Sequence, residues 1–475
     1  MATNRPKNIL FIWTDQQRPD TIGAYGNPHI RTPHLDRLVG QSALFEQAYC
    51  SQPVCAPARA TALTGLYPHT HRVTTNGIPL DPSVPAIAEL LQPANLVSGH
   101  IGMWHLGHTA EPLRPQRGFE PFWVSTEDQY TASHEAEGYS SYHDFLISQG
   151  HTPADPHRDG TIFARTTTTR LPEELTKPAF QASEAIRFLE TNGEQPFLLV
   201  VGIHEPHPPC HSPFDNLYAP EGMTLPESWY LPLDPQAAQH CHRVRQLYEE
   251  EGFKTLRSND EQGWKEEKAR YWGLCTLVDR SVGKVLQRLD DLGLADDTIV
   301  VYTADHGHLM GEHRMWSKGV PYEPSVQVPL LIRVPGLEPK RITTPVSLVH
   351  LMPTLLELLG QPIPEHIQGT SLLPLLTEGD SAPDEAEVFI EWNGPWGTTV
   401  YSDVAVRTIR RGRWKLNVSA NGDCELYDLQ DDPDEIRNAV GDRGRERIIR
   451  MLFDRLREWQ QETGDTVALP HPLVR

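Results

Sequence analysis

The sequence predicts an α/β fold in which helices cover an open sheet and a smaller antiparallel sheet follows. Three observations predict it. Short apolar runs rich in β-branched residues recur along the chain and end in polar, reactive residues. Helical stripes lie between those runs. Beyond about residue 380 the pattern changes to short strands separated by Gly-containing turns.

The first run, Ile9 to Thr14, ends at Asp15. Phe197 to Ile203 ends at His204, Ile299 to Thr303 ends near Asp305, and Val328 to Ile332 is a fourth. Continuous apolar runs of this kind suit strands buried on both faces, as in a parallel sheet. Leu274, Leu277, Val278, Val282, Val285, Leu286 and Leu289 form one helical stripe, stopped by Gly293. A second helix is expected from Ser347 to Leu359, before Gly360. Helices between buried strands imply a helix-covered sheet, and ligands of such sheets sit at the carboxyl ends of the strands. The reactive residues fall at those ends.

Residues 120–180 are polar, His-rich and Thr-rich, which suits either a substrate-shaping insertion or a surface excursion. Ser381 to Glu385 resembles a linker, so the expected division is 1–380 for a catalytic domain and 381–475 for a C-terminal α+β unit. That unit has strand patterns at Val388–Trp392, Val404–Ile409, Trp414–Val418 and Glu425–Leu429, and a last helix from about Arg445 to Gln461. Trp392, Trp396 and Tyr401 fit core packing better than an aromatic wall for substrate.

The formal net charge of −21 and a longest basic cluster of only Arg410-Arg411-Gly412-Arg413 argue against nucleic-acid binding. No apolar stretch approaches the roughly 20 residues of a membrane span, and the N-terminal run is too short for a signal peptide. Six cysteines at no zinc-like spacing are too sparse for a disulfide scaffold. The expectation is a soluble cytoplasmic protein with reduced thiols and an open oligomeric state. An acidic chain acting on an anion needs a locally positive site.

Asp15-Gln16 and Asp305-His306 follow two strands and together offer carboxylates, an amide oxygen and an imidazole to a divalent cation. A single strand-end Asp is more often a helix cap; two such ends converging on one crevice make the metal reading. Cys55-Ala56-Pro57-Ala58-Arg59 opens a helix. A nucleophile there lies near free amides and the positive end of the dipole, with Arg59 one turn on. As a bare five-residue pattern it is better read as a buried Cys before a Pro-initiated helix.

This string resembles the sulfatase signature C-x-P-x-R followed by T-G, here Thr64-Gly65. Thr32-Pro33-His34-Leu35-Asp36-Arg37-Leu38 is similar to the family's T-P-N-L-D-x-L. Gly102-Met103-Trp104-His105-Leu106-Gly107 is similar to its G-K-W-H-L-G, and Glu205-Pro206-His207-Pro208-Pro209 to its x-P-H-x-P. Asp305-His306-Gly307 with Lys318, then Met352-Pro353-Thr354 and Glu425 to Leu429, resemble later motifs. The ordered matches span nearly the whole chain.

The resemblance implies an alkaline-phosphatase-like α/β/α sandwich and hydrolysis of a small-molecule sulfate ester. It implies that Cys55 is oxidised to formylglycine by a transiently bound formylglycine-generating enzyme. Asp15, Gln16, Asp305, His306 and residue 55 would hold one divalent ion, Ca2+ in preference to Mn2+. The metal and Arg59 would acidify a hydroxyl of the aldehyde hydrate, Lys318 would neutralise non-bridging oxygens, and His105 and His207 would move protons. His204 is a pocket-lining candidate.

Two positions depart from the common pattern. Met103 replaces the Lys of G-K-W-H, removing a cation that would face substrate. Gln16 replaces an Asp, removing a negative charge from the metal site. Both features also occur in the phosphonate monoester hydrolase and phosphodiesterase branch, and Asn76-Gly77-Ile78-Pro79-Leu80-Asp81 resembles a segment there whose Asn contacts substrate. That branch lacks a His at the His105 position, which this chain keeps. The leading expectation is a sulfatase. The alternatives are a phosphonate monoester or phosphodiester hydrolase on the same scaffold and a binding protein that has lost turnover.

Overall fold

The computed structural model describes residues 6–107, 117–119, 122–126, 140–151, 171–251, 259–380, 385–394 and 404–473. Most of the 120–180 stretch, residues 381–384 of the expected linker, and Trp396 and Tyr401 lie outside the described residues.

The large sheet has nine strands. They are β1 (Asn8–Thr14), β2 (Ala43–Tyr49), β3 (Val97–Gly102), β4 (Phe122–Ser125), β5 (Phe197–Ile203), β6 (Thr298–Ala304), β7 (Gln327–Arg333), β8 (Lys340–Ile342) and β9 (Val346–Ser347). The order is β4-β3-β5-β1-β6-β7-β2-β8, with β9 also beside β2. The block from β4 to β6 is parallel. The sheet as a whole is mixed, because β7 runs antiparallel to both β6 and β2. Buried apolar runs identify strands covered on both faces but carry no information on direction.

Alternation along β1 shows how the layers form. Ile9, Phe11 and Trp13 enter one core, and Leu10 and Ile12 enter the other. On the first face lies α2 (Cys55–Thr64), with all ten residues buried. On the second lie α3 (Lys177–Asn192) and α5 (Glu261–Asp291), both contributing to the other core. The helical stripe read from Leu274 to Leu289 is the C-terminal part of this 31-residue helix. Asp260 caps its start by accepting from the Gly263 amide at 2.9 Å. Other helices include α1 (Pro33–Val39), α4 (Gln239–Glu251) and α6 (Leu351–Leu358).

The helix expected from Ser347 begins later. Val346 and Ser347 pair with β2, a 3-10 turn covers Leu348–His350, and α6 follows. Ser347 Oγ accepts from the Val349 amide, which turns the chain before the helix starts. The second sheet is antiparallel and four-stranded, ordered β10 (Glu387–Trp392), β11 (Val406–Arg411), β12 (Trp414–Ser419) and β13 (Cys424–Asp428). The final helix α7 (Glu446–Thr463) supplies Ile449, Leu452, Phe453, Leu456 and Trp459 to the core beneath it.

Candidate active site

Three structural ends meet at one point. Register carries past the strands: the Asp15 amide donates to Ile203 O at 3.0 Å, and the Asp305 amide to Thr14 O at 3.1 Å. Asp15 and Asp305 therefore leave neighbouring strands side by side. Cys55 opens α2 on the adjoining face. Asp15, Cys55, Asp305 and His306 offer ligand atoms that all lie within 4.8 Å of one another, and all four residues are buried.

The two carboxylates divide their oxygens. Arg59, fully buried, donates from Nε to Asp305 Oδ2 at 2.9 Å and from Nη2 to Asp15 Oδ2 at 3.3 Å. Its Nη1 donates to Met103 O at 2.9 Å, and its guanidinium lies 4.7 Å from the Trp13 ring centroid. The Oδ1 atoms face the other way. Asp15 Oδ1 is 3.7 Å from both Cys55 Sγ and His306 Nε2, and Asp305 Oδ1 is 3.6 Å from His306 Nε2. The Gln16 and His306 amides donate to Asp305 Oδ1 at 3.0 and 2.8 Å. His306 Nδ1 is 2.9 Å from Gly307 O, a contact that requires the proton on Nδ1 and leaves the Nε2 lone pair toward the carboxylates.

Burial raises the Asp15 carboxyl to about 7, and the neighbouring Asp305 charge adds to the rise. Asp305 is held low because His306, Arg59 and Lys318 together overcome its burial. Burial also lowers His306 to about 3, so its imidazole is neutral. The Cys55 thiol rises to about 12, first through burial and then through Asp15. Two buried carboxylates beside a neutral imidazole fit a divalent cation, which would remove the repulsion that lifts Asp15. An unmodified thiol with so high a pKa is a poor nucleophile and a poor partner for a hard cation.

Lys318 Nζ donates to Gln16 Oε1 at 2.9 Å and lies 3.2 Å from Cys55 Sγ. Gln16 thus rims the same point, with its Nε2 donating to Ser317 Oγ at 3.2 Å. Gln16 has φ 65, and Tyr271 OH donates to its carbonyl at 2.7 Å. The His204 and His207 rings lie beyond the end of β5, tilted at 49° with centroids 4.8 Å apart. Both are held well below the usual histidine value, first by burial. The leading charged influence is Lys318 on His207 and Lys177 on His204. His105 acts electrostatically on His204, so the three histidines border one region. The Met103 amide donates to Gly202 O at 2.9 Å. A Cβ on Gly102, which has φ +99, would meet that same oxygen at 2.0 Å, so only glycine lets the two strand ends approach this closely.

Asn76 lies beside the helix that carries residue 55. Its Oδ1 accepts from the Ala56 amide at 3.0 Å, capping the helix that carries residue 55. The cap position, Val54, has no side chain able to do this. Gln52, Ser317, Tyr271 and Asn393 were not readable as parts of the site. Each belongs to a loop or a different element, and only folding brings them near. Cys50 is fully buried, and all six cysteines are free thiols.

A model of the family described as "Sulfatase" matches residues 7–361. The chain belongs to the sulfatase family. A second family model, "N-sulphoglucosamine sulphohydrolase, C-terminal", matches residues 311–462. Arylsulfatase K of Xenopus laevis is 28% identical over 93% of this chain and 80% of its own length. The multifunctional alkaline phosphatase superfamily protein PehA of Trinickia caryophylli is also 28% identical, over 97% of this chain and 96% of its own. The phosphonate monoester hydrolase of Silicibacter pomeroyi superposes with a TM-score of 0.81 at 25% identity, covering 98% of this chain and all of that one. The fold is that of the alkaline-phosphatase-like superfamily, as the motifs implied. This sulfatase is an enzyme, a sulfuric ester hydrolase by family. No described helix is long and apolar enough to cross a membrane.

Proposed function

We propose that this sulfatase hydrolyses small sulfate monoesters with one divalent cation, Ca2+ in preference to Mn2+, and a formylglycine derived from Cys55. The observation that carries the reading is the convergence of Asp15 Oδ1, Asp305 Oδ1, His306 Nε2 and Cys55 Sγ on one buried point beside Arg59 and Lys318. The Sγ atom stands in for the oxygens of the hydrated aldehyde. The bound cation would supply Lewis-acid polarisation and lower the pKa of the attacking hydroxyl.

The chain's own groups do the rest. Arg59 keeps both Oδ2 atoms turned away and both Oδ1 atoms turned inward. Lys318, buried and held protonated by Cys55, Asp15 and Asp305, sits where a sulfate oxygen would need a cation. Gln16 contributes a neutral oxygen to the rim. His207 and His105 are the groups that would lie near the ester oxygen, one protonating the leaving alcohol and the other taking the remaining hydroxyl proton. His204 lines the same side. We take 1–380 as the catalytic unit and 381–475 as its C-terminal companion. The free thiols support a cytoplasmic setting, with the formylglycine-generating enzyme as a transient partner.

A second reading rests on Met103 and Gln16, and on likeness to the phosphonate monoester hydrolase. On it the same groups act on a phosphonate monoester or phosphodiester. The test is a panel of aryl sulfate and aryl phosphonate monoester given to protein whose residue 55 has been checked by intact mass. Formylglycine is about 18 Da lighter than Cys. Higher kcat/KM for the sulfate is expected; a clear preference for the phosphonate would replace the first reading with the second.

A further inference from the structure

We infer that the end of β10, Glu391-Trp392-Asn393, is a clamp through which the C-terminal sheet positions the nucleophile at residue 55. The inference rests on the catalytic role just proposed for that residue.

Three adjacent residues grip the segment before Cys55. The Glu391 amide donates to Ser51 O at 2.7 Å. Asn393 Nδ2 donates to Gln52 Oε1 at 2.9 Å and to Glu391 Oε2 at 2.8 Å, which fixes the amide's orientation. Trp392 packs with Val54, the residue immediately before Cys55. It is 2% exposed and also lies over Gly319, where a Cβ would stand 3.4 Å from its ring. Gly319 follows Lys318, and His240 Nε2 is 2.7 Å from the Gly319 carbonyl. One indole thus packs against the neighbours of both partners in the 3.2 Å contact between Lys318 Nζ and Cys55 Sγ.

The hydrogen bonds continue inward. Gln52 Nε2 donates to Thr74 O at 2.7 Å, two residues before Asn76, whose Oδ1 caps the Ala56 amide. They also continue outward. Glu391 Oε1 is 2.6 Å from His69 Nδ1, and Arg407 donates from Nη1 to Trp392 O at 3.2 Å while forking onto Asp465 at 2.7 and 2.9 Å. The clamp is anchored in a buried, charged part of the second sheet and ends at the Ala56 amide, in the first turn of the nucleophile helix. Asn393 and Trp392 touch no reacting atom; they are positioning residues.

The experiment compares Asn393→Ala, Gln52→Ala, the double variant and Trp392→Leu with Thr408→Val. Thr408 is buried in the same sheet, and among the described residues its side chain bonds Asn417, at 2.8 Å. The assay uses whichever ester the wild type turns over, and residue 55 is verified by mass in every sample. The clamp variants are expected to lose roughly ten- to a hundred-fold in kcat, the range that a misplaced reacting group produces, with KM little changed. The double variant should be no worse than the poorer single one. Thr408→Val should lose thermal stability and keep its kcat. Amide hydrogen exchange over residues 50–58 should speed up in the clamp variants only. Additive losses in Gln52→Ala and Asn393→Ala, a loss carried by KM alone, or unchanged exchange would overturn the inference. A wild type inert toward both esters would instead overturn the functional reading, while hydrogen exchange would still decide the clamp.

Discussion

Arg59→Met tests the electrostatic framework of the site most directly. Methionine keeps much of the stem that packs in the buried helix and removes the guanidinium. Two charge-assisted hydrogen bonds disappear, at 2.9 and 3.3 Å, and the Met103 carbonyl loses its 2.9 Å donor. Breaking a buried pair by removing one partner costs about 3–5 kcal/mol, because the remaining charge is left uncompensated. Here two carboxylates remain and Lys318 is the nearby cation still facing both, so the upper half of that range is expected. With an unfolding entropy of about 2.1 cal/mol/K per residue, a cooperative transition of all 475 residues converts this to a Tm lowered by about 4–5 °C. The assay is calorimetry in chelator. Asp305→Asn in the same background should recover part of the loss, because one orphaned charge is gone, giving a coupling of about 1–3 kcal/mol. A single variant within about 1 kcal/mol of wild type, or strictly additive effects, would refute the claim that Arg59 offsets the charge of the two buried carboxylates in a dry site.

Divalent cation should raise the wild-type Tm, approaching about 2.7 kcal/mol of stabilisation at a hundred times Kd, and Asp15→Asn should abolish most of that rise in a titration followed by calorimetry. Gln16→Asp should tighten cation binding by adding a charge to the rim, measured by isothermal titration, with looser binding counting against Gln16 facing the metal. Cys55→Ala should reduce turnover to background while leaving the fold intact by circular dichroism. A pH prediction comes from Lys415, which lies 2.9 Å from Glu323 and 2.8 Å from Glu435, too few positive charges for two buried carboxylates. Burial, opposed by Lys415 and assisted by Glu323, pushes Glu435 up to about 8. A carboxyl whose folded pKa is raised contributes stability below its unfolded pKa of about 4.3. That stability fades as pH rises through about 8. Glu435→Gln should therefore match or exceed wild-type stability above that pH in thermal melts, and a variant that loses stability equally at pH 6 and 9.5 would contradict the assignment.

What the sequence revealed was local. Apolar runs ending in Asp15, His204 and Asp305 were readable because a doubly buried strand leaves an unbroken apolar signature and its polar successor marks the strand's end. β2 and β3 were not read as strands. Ala43-Leu44-Phe45-Glu46-Gln47-Ala48-Tyr49 carries half-buried Glu46 and Gln47 at a register shift against β7, and Val97 to Gly102 contains Ser98, Gly99 and His100. Strand direction was unreadable because pattern reports burial and not polarity. Residue identities in the site were readable where the motif is contiguous, as at Cys55 to Arg59. Asn76 as a cap, Gln52 and Asn393 were hidden because their partners lie 20 to 341 residues away. Nothing in such a pair marks either member before folding.

Charge counting explains why one scaffold serves sulfate and phosphonate esters. With a cation bound, Asp15 and Asp305 would carry two negative charges, which Arg59 and Lys318 balance. A divalent cation would then leave the centre doubly positive, ready for an anion despite a chain whose net charge is −21. A sulfate monoester and a phosphonate monoester are both monoanions, so neither is favoured by this balance. A phosphate monoester is a dianion at neutral pH and would neutralise it fully. Met103 in place of lysine lowers the positive charge on the leaving-group side, which weakens the pull on a second negative charge and shifts selectivity toward monoanions. On the proposed reading, discrimination between sulfur and phosphorus would fall to His105, His204 and His207. Burial lowers His204 and His207, so a histidine that protonates the leaving group must first take up a proton, from the attacking hydroxyl or from solvent. Aryl leaving groups of rising pKa would expose this directly. If His105 or His207 protonates the departing oxygen, the dependence of kcat/KM on leaving-group pKa should be shallow in wild type and steep in the corresponding alanine variant. An equal slope in all three proteins would remove both histidines from that role.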